Sequence, residues 1–173
     1  MSIDNLTRII KDMKIKILAT GGTFDKVYYD AKNQFHIGEP MASAILEEAN
    51  VTYDYDVESI LKKDSLDINN EDRAMIRQKV EQDSHDKIII IHGTDTMVKT
   101  AMELLGIEGK TIVITGAMQP ARMRVSDSSY NMGVAATAVQ LLPVGVYVAM
   151  NGLVFDPRTT VKNIDLNRFE SIS

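Results

Sequence analysis

Ile88-Ile89-Ile90-Ile91 runs without a polar break into His92-Gly93-Thr94-Asp95-Thr96. Four consecutive isoleucines cannot alternate between core and solvent, so the run reads as a strand buried on both faces, the mark of a parallel sheet. Two other runs end in the same way. Ile15-Lys16-Ile17-Leu18-Ala19 enters Thr20-Gly21-Gly22-Thr23, and Thr111-Ile112-Val113-Ile114 enters Thr115-Gly116-Ala117-Met118. Open parallel sheets bind ligands beyond the carboxyl ends of their strands. Hydroxyls, an acid and bare backbone amides therefore gather on the edge where chemistry is expected.

Working outward, the pattern alternates strands with helical stretches. Ser2 can cap a short amphipathic helix through Asp12, and the first strand covers Lys14 to Ala19. Residues 24–38 are polar and aromatic without helical period, and read as a mobile hairpin or flap over the site. Pro40 opens a helix to about Ala49, and a strand from Tyr53 to Ser59 leads into the polar loop Lys62-Lys63-Asp64-Ser65. Asn69 or Asn70 caps a helix over Glu71 to Glu81. After Ile88–Ile91 come a helix from Met97 to Leu105, the Thr111–Ile114 strand, a helix capped by Asp127 or Ser128 and running to Leu142, and a last strand from Gly145 to Met150. The spacing predicts right-handed βαβ units. It implies a doubly wound α/β fold of Rossmann or flavodoxin type, a mostly parallel sheet of about five strands with helices on both faces.

Composition narrows the function classes. The chain has 173 residues, which suits one domain spanning 1–173 and burying roughly 70% of its unfolded surface. Its net charge of -5, with no Lys/Arg cluster, argues against nucleic acid as a partner. There is no cysteine, which excludes disulfides and thiolate chemistry and favours a reducing compartment, the cytoplasm. The start carries Asp4, Arg8, Lys11 and Asp12 among its apolar residues, unlike a signal peptide. The apolar stretch Leu141 to Phe155, broken by Pro143, Gly145, Asn151 and Gly152, is too short to span a membrane.

Each motif admits a structural and a chemical reading. The Gly21-Gly22 pair permits a tight turn and close approach of a ligand to backbone, and Thr23 is either a turn residue or a nucleophile. Thr94 or Asp95 is either a helix N-cap or part of a catalytic group. Neither G-x-G-x-x-G nor G-x-x-x-x-G-K-[ST] occurs, so phosphate-loop readings are weak. His92 and Asp95 lack an evident third ligand in sequence for a metal. Lys162 gains interest only if the chain folds back over the strand ends, where a desolvated lysine beside hydroxyls can act as a base.

Together these residues resemble the bacterial-type L-asparaginases. The family's A-T-G-G-T-I segment is matched by Ala19-Thr20-Gly21-Gly22-Thr23-Phe24, and its H-G-T-D-T segment by His92 to Thr96. Its G-A-M-R-P segment looks like Gly116-Ala117-Met118-Gln119-Pro120, followed by Asp127 and Asn131. A T-K pair ahead of F-x-S resembles Val161-Lys162 and Phe169-Glu170-Ser171. The match covers essentially the whole chain and only the family's larger N-terminal domain, so a single domain without the family's C-terminal domain is the expectation.

The resemblance implies cleavage of L-asparagine to L-aspartate and ammonia with no cofactor. It implies Thr23 as nucleophile and Thr94, Asp95 and Lys162 as a second catalytic group. It further implies Asp95 on the substrate ammonium, Ser65 on its carboxylate, and backbone at Gly22, Gly93, Thr94 and Ala117 around the substrate.

Three positions depart from the family pattern. The expected tyrosine ahead of Ile37-Gly38-Glu39-Pro40 is Phe35, for which Tyr28 or Tyr29 is the candidate replacement. The expected arginine before Pro120 is Gln119, with Arg122 and Arg124 nearby. Without a C-terminal domain the pocket needs a second copy to close it, so a homodimer or higher homo-oligomer is expected. The small-residue helix from Asn131 onward and Leu153–Phe155 are candidate surfaces. Competing functions are a non-catalytic amino-acid sensor and a subunit of a larger amidase or amidotransferase.

Overall fold

The computed structural model describes residues 13–29 and 34–172; the helix expected over residues 2–12 lies outside them. Five strands form a parallel core: β1 (Lys14–Gly21), β4 (Asp54–Lys63), β5 (Lys87–Ile91), β6 (Thr111–Thr115) and β7 (Gly145–Met150). A short antiparallel strand, β8 (Leu153–Phe155), extends the sheet at one edge, giving the order β4-β1-β5-β6-β7-β8. Two hairpins lie outside the sheet: β2 (Lys26–Tyr29) with β3 (Gln34–Ile37), and β9 (Thr160–Asn163) with β10 (Arg168–Ser171).

The isoleucine runs explain the two layers. Ile89, Ile91 and Val113 face helices α1 (Ala42–Glu48) and α4 (Ser128–Leu141), packing with Ile45, Leu46, Met132 and Val139. Ile88, Ile90, Ile112 and Ile114 face α2 (Asn70–Gln82) and α3 (Met97–Glu103), packing with Ile76, Val80, Met97 and Leu104. Each such fully buried side chain contributes about 1.5–3 kcal/mol. The doubly wound fold is thus present, with both faces covered.

Three details differ from expectation. Strand β4 continues through Lys62 and Lys63, so only Asp64 and Ser65 remain in the loop. Asn69, not Asn70, caps α2, in a reciprocal box with Asp72. The third concerns hand. The crossovers through α1, α2 and α3 share one hand, judged by strand order and helix face, whereas β6-α4-β7 steps in the same direction as β5-α3-β6 on the opposite face. Right-handed crossovers being the rule, β6-α4-β7 is the left-handed exception. The long loop before α4 explains it: the chain crosses the carboxyl edge, where Ala121 N–H donates to the Phe24 carbonyl at 3.1 Å, and so reaches the other face. Among the described residues, no helix is long and apolar enough to cross a membrane.

Candidate active site

In chain order the parallel strands are arranged 2-1-3-4-5, so the connections leaving β1 and β5 diverge to opposite faces. A crevice opens at such a switch point. The strands end level, with Ala19 paired to Ile91. The Thr20 hydroxyl donates to the Ile91 carbonyl at 2.9 Å, and the Thr115 hydroxyl donates to that of Ala149 at 2.9 Å. These threonines fasten neighbouring strand ends.

Glycine lets the turns meet. Gly22 has φ 75° and ψ −168°, a conformation essentially reserved for glycine. A Cβ there would lie 2.5 Å from Gly93 Cα, and one on Gly93 would lie 2.6 Å from Ser65 Cβ. The turns bearing Gly22, Gly93 and Ser65 therefore stack with no space between. Thr23 is half-buried directly after the first glycine, and Thr94 is buried directly after the second. Ser65 is itself buried, its carbonyl accepting the Thr96 hydroxyl at 2.7 Å, while its own Oγ has no hydrogen-bond partner.

Lys162 reaches this edge from β9. Its Nζ donates to Thr94 Oγ1 at 2.8 Å and to Asp95 Oδ1 at 2.6 Å. The Asp95 carboxyl is 45% exposed, against 18% for the lysine side chain, so the acid presents its open side to solvent. Thr94 and Asp95 are not N-caps: α3 is preceded by Thr96, which makes no side-chain capping bond.

His92 belongs to the floor. It is fully buried, with Nδ1 2.8 Å from the Gly93 carbonyl and Nε2 2.8 Å from Thr100 Oγ1. A carbonyl only accepts, so Nδ1 carries the proton and Nε2 accepts from the threonine. Burial lowers its pKa to about 4, keeping the ring neutral. Both nitrogens hold the turn in place, leaving none for a metal ion.

Ala117 is buried in the turn after β6, where Gly116 is pressed against the His92 carbonyl. Asp127, expected as a cap for α4, makes no capping bond and instead accepts from the Met118 and Gln119 amides, each at 3.0 Å. Arg122 and Arg124 are exposed. Of the hairpin expected over residues 24–38, β2–β3 forms over Lys26–Tyr29 and Gln34–Ile37, whereas Phe24 and Asp25 form a buried turn, with Phe24 in the core against expectation. Tyr28 is 48% exposed and packs edge-on against Phe35, its direct cross-strand partner; the Tyr29 side chain lies outside the described residues.

Sequence reasoning missed Asp25, two residues after Thr23. It is 1% exposed, accepts from Met41 N–H at 2.9 Å through its carboxyl, and from Gly38 N–H at 2.8 Å through its carbonyl. Burial, aided by the nearby Glu39 charge, pushes its pKa up to about 6. It ties the far end of the hairpin to the Thr23 turn. Lys26 adds a second tie, to Asp64 beside Ser65, at 2.6 Å. No local pattern marks a lone aspartate as buried.

Comparison with known proteins agrees with this geometry. The family model described as asparaginase, N-terminal, matches residues 14–173. An L-asparaginase of Thermococcus kodakarensis is 32% identical over 173 residues, covering 93% of this chain and 52% of that protein. L-asparaginase 2 of Escherichia coli K12 is 30% identical, covering 92% of this chain and 49% of that one. The solved structure of the thermostable T. kodakarensis L-asparaginase superposes with a TM-score of 0.79 at 29% identity, covering 92% of this chain and 51% of it. The chain spans about half the length of the curated relatives it matches. It belongs to the asparaginase family, and the residues seen here correspond to that family's N-terminal domain.

Proposed function

We propose that this chain is an amidohydrolase that cleaves L-asparagine to L-aspartate and ammonia through a threonine acyl-enzyme. The observation that carries the reading is the reach of Lys162 Nζ to both Thr94 Oγ1 and Asp95 Oδ1 at the glycine-lined switch point. A surface lysine has no structural need of a buried threonine hydroxyl, whereas hydrolysis needs such a group to activate water.

In this mechanism Thr23 Oγ attacks the side-chain amide carbon. The C–N bond then breaks, the departing nitrogen takes up a proton and leaves as ammonia, and an ester joins Thr23 to the aspartyl group. Water, activated by Thr94 as its hydroxyl proton passes to the Lys162 amine, or positioned by Lys162 itself, then hydrolyses the ester and restores the Thr23 hydroxyl. Backbone amides near Thr94 and Ala117 stabilise the oxyanion, each such donor being worth about 10²–10³ in rate, while Gly22 and Gly93 let the substrate lie close to the backbone. Asp95 holds the substrate ammonium, and Ser65, with its uncommitted Oγ, holds the carboxylate. Tyr28 or Tyr29, on the hairpin beside Thr23, takes the activating part that Phe35 cannot. A second copy of the chain closes the open side, making the working form a homodimer or larger. Cysteine-free composition supports a cytoplasmic setting.

Ammonia release from L-asparagine by the purified protein tests the reading. Thr23→Ala and Lys162→Met are each expected to lower kcat by roughly 10³ or more, as for members of one catalytic unit. Near-normal turnover in Thr23→Ala would remove it as nucleophile. Tight aspartate binding with no ammonia would replace hydrolysis by sensing.

A further inference from the structure

Lys162 has to be held over Thr94 by a hairpin that makes no ladder with the main sheet. Its cross-strand partner in that hairpin is Phe169. Directly opposed residues of an antiparallel pair share a face. On that shared face Phe169, 3% exposed, packs into the core with Met150 and Phe155, and Lys162 beside it reaches the strand ends. The Phe169 backbone N–H, at the level of Lys162, donates to Asn151 Oδ1 at 2.9 Å.

Asn151 is in turn locked from below. It holds φ 54°, a left-handed conformation that asparagine tolerates, and its N–H donates to Asn131 Oδ1 at 3.1 Å. Asn131 is fully buried, and its Nδ2 donates to the Gly116 carbonyl at 3.0 Å and to Asp127 Oδ2 at 2.8 Å. With the amide reversed, its oxygen would face a carbonyl and a carboxylate, so only one orientation fits. The Asp127 carboxylate also takes the Met118 and Gln119 amides. One unbroken chain of hydrogen bonds thus runs from the Ala117 turn to the strand opposite Lys162.

We propose that Asn131 and Asn151 are positioning residues that set the height of Lys162 over Thr94 and couple it to the Ala117 turn. The inference rests on the amidase reading for its effect on turnover, and on geometry alone for its effect on the lysine. Displacement of a catalytic group by about 1 Å costs on the order of 10²-fold in rate.

Asn151→Gly isolates the effect, because glycine keeps the left-handed backbone and the N–H to Asn131 while removing the oxygen that holds Phe169. Asn151→Asp keeps both the backbone and an acceptor oxygen. Two readouts are taken on wild type and both variants: ammonia release, and acetylation of Lys162 by acetic anhydride followed by peptide mass spectrometry. Asn151→Gly is expected to raise Lys162 labelling about tenfold and lower kcat by roughly 10- to 100-fold with KM changed less than about threefold. Asn151→Asp is expected to match wild type in both. Unchanged labelling in Asn151→Gly, or equal labelling in the two variants, overturns the proposal. If labelling separates the variants but wild type releases no ammonia, the tether stands and the amidase reading falls.

Discussion

Gly22 and Gly93 meet backbone to backbone: a Cβ on Gly22 would sit 2.5 Å from Gly93 Cα. That contact brings the residues following each glycine, Thr23 and Thr94, to the same crevice from strands β1 and β5. Gly22→Ala adds a steric overlap to a backbone conformation costing about 1–3 kcal/mol for any other residue. Gly93→Ala drives a methyl into Ser65, 2.6 Å from its Cβ, an overpacking cost of about 1–3 kcal/mol. Both variants are expected to unfold at lower urea concentration, with Gly22→Ala the worse, and to lose most activity. Unfolding curves within about 0.5 kcal/mol of wild type would mean that the turns have room to part.

Asp25 makes a separate claim about pH. Its folded pKa of about 6 lies above the ordinary 3.8, so the folded state binds the proton more tightly than the unfolded chain does. Its contribution to stability is therefore present below the unfolded value and lost as pH rises through about 6, a total on the order of 3 kcal/mol. The neutral amide introduced by Asp25→Asn would keep an oxygen for the Met41 N–H without that loss. Urea unfolding of Asp25→Asn and wild type at several pH values should show the variant's relative stability climbing between pH 4 and 6, then levelling. His92, with its pKa lowered to about 4, acts in the opposite sense over the same window, so only the difference between the two proteins isolates Asp25. A flat difference would place the Asp25 carboxyl in contact with solvent.

The His92–Thr100 bond supplies a stability test at the floor of the site. Thr100→Val removes the hydroxyl that satisfies Nε2 and leaves a fully buried ring nitrogen unpaired. An orphaned buried acceptor costs about 1–3 kcal/mol, and the loss should appear in unfolding at neutral pH. A gain in stability would indicate that water takes the hydroxyl's place.

The parts of this fold legible in the sequence are those where one physical rule acts over several residues. Ile88–Ile91 could only be a strand covered twice, and the three Gly-and-Thr turns had to lie at one edge because parallel strands end together. The three-residue strand Leu153–Phe155 and the hairpin carrying Lys162 are too short for periodicity to reveal. The left-handed crossover through Ser128–Leu141 follows from how a loop packs across Phe24, which no local pattern records. Asp127 occupies a capping position in sequence, but the Met118 and Gln119 amides compete for its carboxylate and win. In the site, the chemistry-bearing turns were legible because the glycines mark them. Asp25, Asn131 and Asn151 were not assigned these contacts, because their partners lie on other elements.

Ser65 separates ligand binding from folding most cleanly. Its Oγ is buried and has no hydrogen-bond partner, although the residue's carbonyl is used by Thr96. A buried hydroxyl without a partner costs the folded state about 1–3 kcal/mol. Selection for stability alone would favour alanine, which fits the same space against Gly93. Under the proposed function that cost is offset by the substrate carboxylate, in a charged hydrogen bond worth about 1.5–3 kcal/mol. Ser65→Ala should therefore unfold at the same or a higher urea concentration while KM for L-asparagine rises roughly 10- to 100-fold. Comparison of unfolding curves with steady-state kinetics checks both halves at once. A variant that loses stability with KM unchanged would show that Ser65 serves the turn and not the substrate.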